Sequence, residues 1–453
     1  MFIYELIQEQ DFKRLASQLV HFSGFEIANL IVHKSIDEQV FVFRSLKPKL
    51  AADTFDYLPQ KNQKKLLETL PHTIAAAMIE AMHPDDRTAL LQDLPRSVVD
   101  EYLNLLSQEE RTLALVLLGY PEDRVGHMMT TDYLAVRLEW TVDKVLDHIR
   151  AYGHDSETIN ELYVVDDKDK LLDDIKIREF LFVPKNHTVL QLANFKYIAL
   201  EAFSKAEDAV NVFKEYDRTA LPVVDDRGML VGVVTIDDIL RYASEKTTEN
   251  MQKVGGMQAL DEPYMDTPFL ELMKKRAGWL VVLFIGETFT ASAMSYFEAE
   301  IAKAVVLALF IPLIVSSGGN AGSQSTTLII RAMALGEVKL QDWWRVMKRE
   351  ICSGAFLGIV LGLIGFCRVA LWASFTTIYG EHWFLIALTI FFSLTGIVLW
   401  GSLSGSMLPL ILKRSGIDPA TASAPLVATL VDVTGITIYF GIALYILQGT
   451  LLT

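Results

Sequence analysis

The sequence predicts a multidomain membrane protein with an all-α superhelical N-terminal domain, an α/β tandem module, a connecting helix and a five-helix transmembrane bundle. Three observations support this fold class. After Ala277, apolar runs near or above about 18 residues recur, and each is long enough to cross a hydrocarbon core about 30 Å thick. Before Ala277 the 453-residue chain is charged and amphipathic. That first part also contains two internal repeats of different period.

Residues 1–127 are predicted to form an array of helical hairpins. Leu46, Leu70 and Leu94 recur every 24 residues, and the segments before the last two are similar. Periods of about 20–50 residues are typical of stacked hairpins that are each too small to bury an apolar face alone. Such arrays usually bind a partner or act as rigid levers. A helical bundle with coincidental spacing is the alternative interpretation.

A second repeat, offset by 59 residues, occupies residues 128–245. Residues 163–167 (YVVDD) reappear as residues 222–226 (PVVDD). Both copies are predicted to run strand, acidic turn, strand and helix, because β-branched runs flank turns rich in Asp and Gly. A tandem pair of this kind resembles CBS domains, which usually dimerise and serve as regulatory modules.

The CBS resemblance also implies a nucleotide site. CBS pairs often bind adenine nucleotides through a Thr or Ser and an Asp three residues later, at the start of the last helix. The second copy has Thr235 and Asp238 there, whereas the first has Lys176 and Glu179. ATP at Thr235 and Asp238 is therefore an expectation of the resemblance. An acid that only caps the helix N-terminus is the alternative.

The charge of the chain is concentrated in its first part. Nine acidic and nine basic residues follow Arg276, so the whole net charge of −15 belongs to the residues before that point. A negative field repels nucleic acid and attracts cations, although solubility alone explains most acidic proteins. Cys352 and Cys367 lie in apolar segments without the spacing of a metal site, and we predict reduced packing residues.

Five membrane spans are predicted, and basic residues give their orientation. The spans are 277–297, 301–334 with a break in its middle, 351–375, 383–412 and 425–452. Basic residues cluster at 274–276, 339–349 and 413–414, all on one side, which indicates a cytoplasmic N-terminus and an outside C-terminus. No signal segment is recognised at the start. The expected location is the cell inner (plasma) membrane, with multiple passes through the bilayer.

Asp432 is the most informative residue of the membrane half. A carboxylate at membrane depth costs several kcal/mol unless it meets a partner or water, so it marks a functional site. Ala428 and Asp432 share one face of the last span. In a homodimer the carboxylate would occur twice on the symmetry axis, which suits Mg²⁺ with its oxygen ligands and retained waters. The alternative is a packing Asp bonded to a neighbouring hydroxyl.

The second predicted span contains the polar stretch 316–325, which includes Gly319 and Asn320. Its glycines and polar side chains are poorly suited to lipid, and broken backbone at membrane depth is tolerated only where it lines a cavity or protein. We therefore interpret the stretch as pore lining, with a helix-packing seam as the alternative. Glu287 and Arg368 are predicted to have structural or interfacial roles.

A connecting region, residues 246–276, joins the CBS pair to the membrane. An uninterrupted pattern from Leu240 to about Lys253 predicts one long helix, which Gly255 and Gly256 should end. The helix and the segment after it are acidic. Their carboxylates include Glu245, Glu249, Asp261 and Glu262.

Residues 318–325 (GGNAGSQS) and 425–435 (PLVATLVDVTG), together with the domain order, resemble the MgtE family of Mg²⁺ channels. The resemblance implies a homodimer whose last-span Asp, here Asp432, lies in the pore. It also implies cytosolic Mg²⁺ sites that bridge the N-terminal domain, CBS domains and connecting helix and hold the pore shut. Matching motifs are 84–87 (PDDR), 247–250 (TTEN) and the loop residue Asp418.

The resemblance assigns two groups of site residues. The pore set is Asp432, Asn320, Gly319, Ala428 and Asp418. The regulatory metal set is Asp85, Asp86, Asp226, Glu245, Glu249, Asp261 and Glu262. The chain departs from the family pattern at Asn250, where an Asp is common, and at Asp173-Asp174-Ile175, where Gly-Val-Val is commoner.

The expected function is Mg²⁺ uptake through a channel that cytosolic Mg²⁺ closes. One alternative is an ion-coupled transporter of Mg²⁺ or of another divalent metal such as Mn²⁺, Co²⁺ or Ni²⁺. A metal-sensing scaffold with a closed bundle is another. A CBS-regulated membrane enzyme is disfavoured, because no nucleophile–base pair, P-loop or zinc spacing is recognisable in the sequence.

Overall fold

The computed structural model describes residues 6–9, 11–92, 94–265 and 267–452. The chain divides into two compact units, Met1–Glu245 and Lys246–Thr453, and each is described on its own. The first contains helices and two small sheets. The second is helical, and five of its described helices are long and apolar enough to cross a membrane.

Short helices of eight to ten residues fill the first part of the first unit. They are α1 Phe12–Leu19, α2 Gly24–Ile31, α3 Ile36–Ser45, α4 Pro48–Asp56, α5 Gln60–Thr69, α6 His72–Glu80, α7 Pro84–Gln92, α8 Arg96–Leu105 and α9 Gln108–Leu117. Leu46 and Leu70 stand directly after α3 and α5, and Leu94 follows α7. The 24-residue period therefore marks pairs of helices, which confirms the predicted helical domain. Their apolar faces form one continuous core.

Two similar α/β repeats follow. Their elements are β1 Ala135–Arg137, α10 Val142–Tyr152, β2 Glu161–Val165, β3 Leu171–Lys176, α11 Ile177–Leu181, α12 Val189–Leu192, β4 Leu200–Glu201, α13 Ala206–Tyr216, β5 Ala220–Val224 and β6 Leu230–Thr235. Each repeat has a three-stranded sheet, β1-β2-β3 or β4-β5-β6, with one parallel and one antiparallel pairing. The 59-residue offset holds for both antiparallel strand pairs, which confirms the predicted tandem module.

A single helix, α14, runs from Ile236 to Val254 and joins the last helix of the second repeat to the predicted connecting helix without interruption. It ends directly before Gly255, as predicted. Gly256 has φ +76°, a left-handed conformation that strongly favours glycine and commonly follows a helix. An added Cβ at Gly256 would also lie 2.8 Å from the Trp279 indole, so the position requires glycine on two grounds.

Five candidate membrane spans are found in the described residues, which confirms the predicted number. The helices of this unit are α15 Phe269–Tyr296, α16 Glu298–Lys303, α17 Ile311–Ala334, α18 Trp343–Ala373, α19 Trp383–Arg414 and α20 Ala424–Leu447. Helix α15 begins eight residues before the predicted span and α18 also eight residues before it. Charged residues are concentrated in the first two turns of both helices, which therefore extend beyond their apolar windows.

The predicted break in the middle of the second span is wrong. Helix α17 continues through residues 316–325, and the interruption lies earlier, where α16 is followed by a 3-10 turn at Val305–Phe310. The polar side chains do not break the helix, because Ser317 donates to the Leu313 carbonyl oxygen within it. The glycines Gly318 and Gly322 pack closely against α19 and α20, in contact with Ile397, Val431 and Gly401 among others. These two glycines therefore form a helix-packing seam, which was the alternative to pore lining for this stretch.

The two cysteines of the membrane unit are free thiols. Cys352 and Cys367 are both exposed on α18. The face of α18 that packs against α19 is made of small residues instead, including Gly354, Gly358 and Gly362. Because the cysteines lie about two residues from this glycine face, they point away from it.

Candidate ion pathway and metal-sensing sites

The structure brings together three of the predicted pore residues. Gly319 on α17 lies against α20, since a Cβ added to it would be 3.5 Å from the Ala428 Cβ and 3.7 Å from Asp432 Oδ1. The absence of a side chain at Gly319 and the small one at Ala428 leave space beside the Asp432 carboxyl group. Asp432 itself is half-buried within this chain.

A second acidic residue accompanies Asp432. The carboxyl group of Glu287, on α15, is within hydrogen-bonding reach of the Asp432 carboxyl group. Two ionised carboxyl groups this close repel each other, so a proton or a cation between them is favoured. The predicted structural pairing of Glu287 is therefore with Asp432, one of the predicted pore residues.

A stripe of polar side chains runs along α17 near this acidic pair. Ser316, Asn320 and Gln324 are spaced four residues apart and are all exposed in the isolated chain. Asn320 Nδ2 is 3.5 Å from Ser316 Oγ. Polar groups in a membrane span are expensive in contact with lipid, so this face requires water or another protein surface.

In the first unit, two helix N-termini converge on a cluster of carboxylates. Helix α7 begins at Pro84, a residue suited to the first helical position, and carries Asp85 and Asp86 in its first turn. Helix α14 carries Asp238 in its own first turn. Acidic side chains are favoured there by the partial positive charge of the helix N-terminus.

The geometry of the cluster suits a hard cation. One ligand oxygen from each of Asp85, Asp86 and Asp238 lies within 4.8 Å of the others. Opposite ligands of an octahedral Mg²⁺ are about 4.2 Å apart, given metal–oxygen distances of about 2.1 Å. Asp85 is only 7% exposed, and its Oδ1 has no hydrogen-bond partner among the described residues. A buried, unpaired carboxylate oxygen is costly unless a cation or a proton satisfies it.

The electrostatics of the cluster favour the binding of a cation. Burial, reinforced by the negative charge of Asp56, raises the pKa of Asp86 to about 7. Burial, reinforced by the charges of Asp86 and Asp238, raises the pKa of Asp85 well above its usual range. Burial is also the main cause of the raised pKa of Asp238. A bound dication would favour the ionised form of all three.

A second group of charges links the N-terminal helices to the first CBS repeat. His83 Nδ1 lies 2.9 Å from Glu157 Oε2 and 3.4 Å from Asp132 Oδ2. The nearby carboxylates of Asp132 and Glu157 raise the pKa of His83 to about 11, so the imidazole is a cation at neutral pH. This histidine directly precedes α7 and helps to hold the acidic cluster beside the CBS pair.

The predicted ligands of the second unit are paired with lysines. Lys253 Nζ lies 2.5 Å from Glu249 Oε1 and 2.7 Å from Asp418 Oδ2. Hydrogen bonds from Lys246 and Lys253 oppose the effect of burial and lower the pKa of Glu249. The structure thus places Asp418 beside the end of α14, and in this arrangement an ammonium group bridges the two carboxylates.

The other predicted regulatory residues are not gathered into a cluster. Asp261 is exposed and forms an ion pair with Lys275 at 2.6 Å. Asp226 is exposed in the turn between β5 and β6, and Glu245 is exposed on α14. Glu262 is half-buried, and its backbone carbonyl accepts a hydrogen bond from Thr267. Metal binding at these positions stays a prediction.

The side chains of the predicted nucleotide pair are engaged in contacts within the chain. Thr235 and Asp238 are 5% and 8% exposed. Thr235 Oγ1 donates to Asp238 Oδ2 at 2.8 Å, and Asp238 Oδ1 pairs with Arg241. Both carboxylate oxygens are thus engaged, and ATP binding at this pair stays a prediction that enters no step below.

The unusual Asp173-Asp174 sequence of the first CBS repeat has a structural explanation. Asp173 Oδ2 accepts hydrogen bonds from the Asn194 and Phe195 amides. Asp174 Oδ2 lies 2.7 Å from Arg218, which belongs to the second repeat. These buried acids tie the two repeats together, so the departure from the commoner pattern is compensated within the module.

Sequence reasoning missed part of the acidic cluster. It assigned Asp238 to nucleotide rather than metal, and it named neither Arg241 nor His83. The i, i+3 spacing of Asp238 and Arg241 was a readable local signal for an ion pair. The proximity of Asp238 to Asp86 was not readable, because it depends on how the helical domain packs against the CBS pair.

Comparison with known proteins supports the assignment of these domains. Residues 311–442 match the family model MgtE, "Divalent cation transporter". Residues 24–123 match the "MgtE intracellular N domain" model, and residues 125–186 and 172–245 match the CBS domain model. Five spans, a CBS pair and an intramembrane carboxylate define a membrane transport protein.

Curated relatives cover most of the chain. It is 37% identical over 343 residues to "Magnesium transporter MgtE" of Thermus thermophilus, covering 75% of this chain and 74% of that protein. It is 32% identical over 416 residues to the protein of the same name from Enterococcus faecalis, covering 91% and 89%. The chain belongs to the MgtE family, as its sequence resemblance predicts. The family description is that of a transporter and not of an enzyme.

Solved structures resemble the cytosolic part. A crystal structure of "the cytosolic domain of the Mg2+ channel MgtE in complex with ATP" has a TM-score of 0.51 and 30% identity, covering 53% of this chain and 98% of that one. The "soluble part of a magnesium transporter" has a TM-score of 0.53 and 26% identity, covering 54% and 96%.

Proposed function

We propose that this protein conducts Mg²⁺ across the membrane and that Asp432 is the ion-binding carboxylate of the pathway. The observation that carries the proposal is the placement of the half-buried Asp432 carboxyl group beside Gly319 and Ala428, close to the exposed polar stripe of α17. Oxygen ligands with space for retained waters suit Mg²⁺. The names of the curated relatives support the choice of ion.

The functional unit of the proposal is a homodimer. A second copy would cover the stripe formed by Ser316, Asn320 and Gln324, which is exposed in one chain and unsuited to lipid. A shared axis at this face would place two Asp432 carboxylates beside one ion pathway. The basic loops support a cytoplasmic N-terminus and an outside C-terminus in the plasma membrane.

Cytosolic Mg²⁺ closes the channel in this proposal. At high concentration, an ion at Asp85, Asp86 and Asp238 holds the N-terminal domain on the CBS pair. At low concentration the bare carboxylates repel one another, at roughly 1–4 kcal/mol for each close pair, and the domain separates. The change is a population shift driven by the higher metal affinity of the docked state. Because α14 is continuous, it can carry the movement toward Glu249 and Asp418.

The pore assignment is tested by flux in proteoliposomes. We expect Asp432→Asn to reduce Mg²⁺ uptake at least about tenfold, because the amide cannot replace a carboxylate as a ligand for a dication. Glu381→Gln is the matched control, since it removes one exposed charge from a loop of the same unit. Undiminished uptake by correctly folded Asp432→Asn would exclude the proposal.

The same vesicles distinguish the alternatives. Uptake that requires a proton or Na⁺ gradient would indicate a coupled transporter. Faster transport of Mn²⁺, Co²⁺ or Ni²⁺ than of Mg²⁺ at equal concentration would favour another divalent substrate. A complete absence of uptake by the wild type would favour the closed scaffold.

The sensor site is tested by titrating Mg²⁺ on the cytosolic face. We expect Asp85→Asn to raise the Mg²⁺ concentration for half-inhibition about tenfold or more, because a buried carboxylate ligand is lost while maximal uptake is retained. Asp147→Asn, which removes an exposed carboxylate of the CBS pair, is the control. An unchanged inhibition curve would show that the cluster does not sense Mg²⁺.

A further inference from the structure

Arg241 places a tethered cation among the carboxylates of the sensor cluster. Its Nη2 lies 2.5 Å from Asp238 Oδ1 and 3.4 Å from Asp86 Oδ1, and its Nη1 lies 4.0 Å from Asp56 Oδ2. Asp56 and Asp86 belong to the N-terminal domain, whereas Arg241 and Asp238 belong to α14. A single guanidinium group therefore bridges the N-terminal domain and the CBS pair.

The charge of Arg241 does not saturate the cluster. One guanidinium faces Asp56, Asp86 and Asp238, and Asp85 beside them keeps a buried Oδ1 without a hydrogen-bond partner among the described residues. One guanidinium charge among four carboxylates leaves the cluster short of positive charge. These are the properties of a site that accepts a second cation.

A metal ion at the cluster would need carboxylates that Arg241 already contacts. Asp86 and Asp238 supply ligand atoms to the candidate metal site and are also the closest partners of the guanidinium. Like charges at this separation oppose each other. The Arg241 side chain is 49% exposed, so it has an open route into solvent when an ion arrives.

We propose that Arg241 is a built-in counter-ion that holds the N-terminal domain on the CBS pair when Mg²⁺ is scarce and competes with Mg²⁺ for Asp86 and Asp238. Arg241 thereby sets how strongly docking responds to Mg²⁺. The inference rests on the metal site of the proposed function. If Arg241 is removed, Mg²⁺ becomes the main source of positive charge at the cluster. Docking should then respond more strongly to Mg²⁺.

The test is hydrogen exchange of the full chain in detergent, measured on peptides that cover Pro84–Gln92, with EDTA or with saturating Mg²⁺. In EDTA, these peptides should exchange roughly five- to tenfold faster in Arg241→Gln than in the wild type. An effect of this size is expected when half-exposed, charge-assisted hydrogen bonds are lost. Mg²⁺ should restore protection, so its protective effect is larger in the variant. Arg241→Lys keeps the charge and should retain most of the protection in EDTA.

The outcomes separate this inference from the proposed function. Arg150→Gln, which loses only an exposed pairing with Asp147, is the control and should behave as the wild type. If Arg241→Gln exchanges at the wild-type rate in EDTA, the counter-ion role is overturned while the metal site stands. If its protective response to Mg²⁺ does not exceed that of the wild type, competition is overturned. If Mg²⁺ protects neither protein, the metal site itself fails.

Discussion

Gly405→Ala is expected to disrupt the membrane bundle. A Cβ added at Gly405, on α19, would overlap the carbonyl oxygen of Gly322 and lie 2.9 Å from its Cα on α17. Both are backbone atoms and cannot rotate aside, so the two helices would have to separate. Thr326 Oγ1 also donates to the Gly405 carbonyl at 2.8 Å, a bond that would stretch with them. We expect a cost of about 3 kcal/mol or more, at the upper end of overpacking effects.

This effect is measured as the thermal stability of the full chain in detergent, together with Mg²⁺ uptake in vesicles. Uptake should fall with stability, because α17 carries Gly319 and the polar stripe. Gly441→Ala, on α20, is the matched control, since an added Cβ there meets no atom within 4 Å. Equal stability of Gly405→Ala and Gly441→Ala would refute the close approach of α17 and α19.

Arg87→Ala is expected to destabilise the N-terminal domain by about 3–5 kcal/mol, the usual cost of breaking a buried ion pair. Arg87 is fully buried, and its guanidinium donates to the Glu110 carboxylate on α9 and to the Glu80 carbonyl oxygen. Truncation would leave a large cavity and an acid without its partner. Because Arg87 lies on α7, the carboxylates of Asp85 and Asp86 would lose their fixed position.

The functional consequence differs from that of Gly405→Ala. Transport capacity should remain, since the membrane unit is unchanged, but inhibition by cytosolic Mg²⁺ should be lost. Hydrogen exchange of α7 and α9 reports the stability, and vesicle flux reports the inhibition. Arg111→Ala, an exposed arginine on α9, serves as the control. If α7 and α9 of Arg87→Ala were as protected from hydrogen exchange as in the wild type, the structural role assigned to this arginine would be contradicted.

The PDDR motif shows how much of the acidic cluster could be predicted from the sequence. Its resemblance to a family motif predicted that Asp85 and Asp86 are metal ligands, and the structure places both in one acidic cluster with Asp238. The role of Arg87 was not predicted, because its partner Glu110 lies on another helix. Asp238 was assigned to nucleotide, because a Thr and an Asp three residues apart form a local pattern that the sequence shows. The sequence does not show that Asp238 joins Asp85 and Asp86, which belong to another domain.

The membrane half shows a similar division. Hydropathy predicted five spans, and the position of Asp432 in the last one marked it as a candidate site. The break expected within residues 316–325 was wrong, because glycine and serine are tolerated in a helix whose neighbour packs closely against it. The contact of Glu287 with Asp432 also lay beyond sequence reasoning, since spans distant in the chain carry no signal of their pairing.

The sequence by itself determined the class of each segment. The class of a segment follows from its apolar runs, from the 24- and 59-residue periods and from the acidic balance of the first part. These properties depend only on the order and type of the residues. Tertiary structure alone decided which charges meet: Asp86 with Asp238 and Arg241, Glu249 and Asp418 with Lys253, and Glu287 with Asp432. Electrostatic coupling depends on distances of a few ångströms and on burial, and neither is set until the helices have packed.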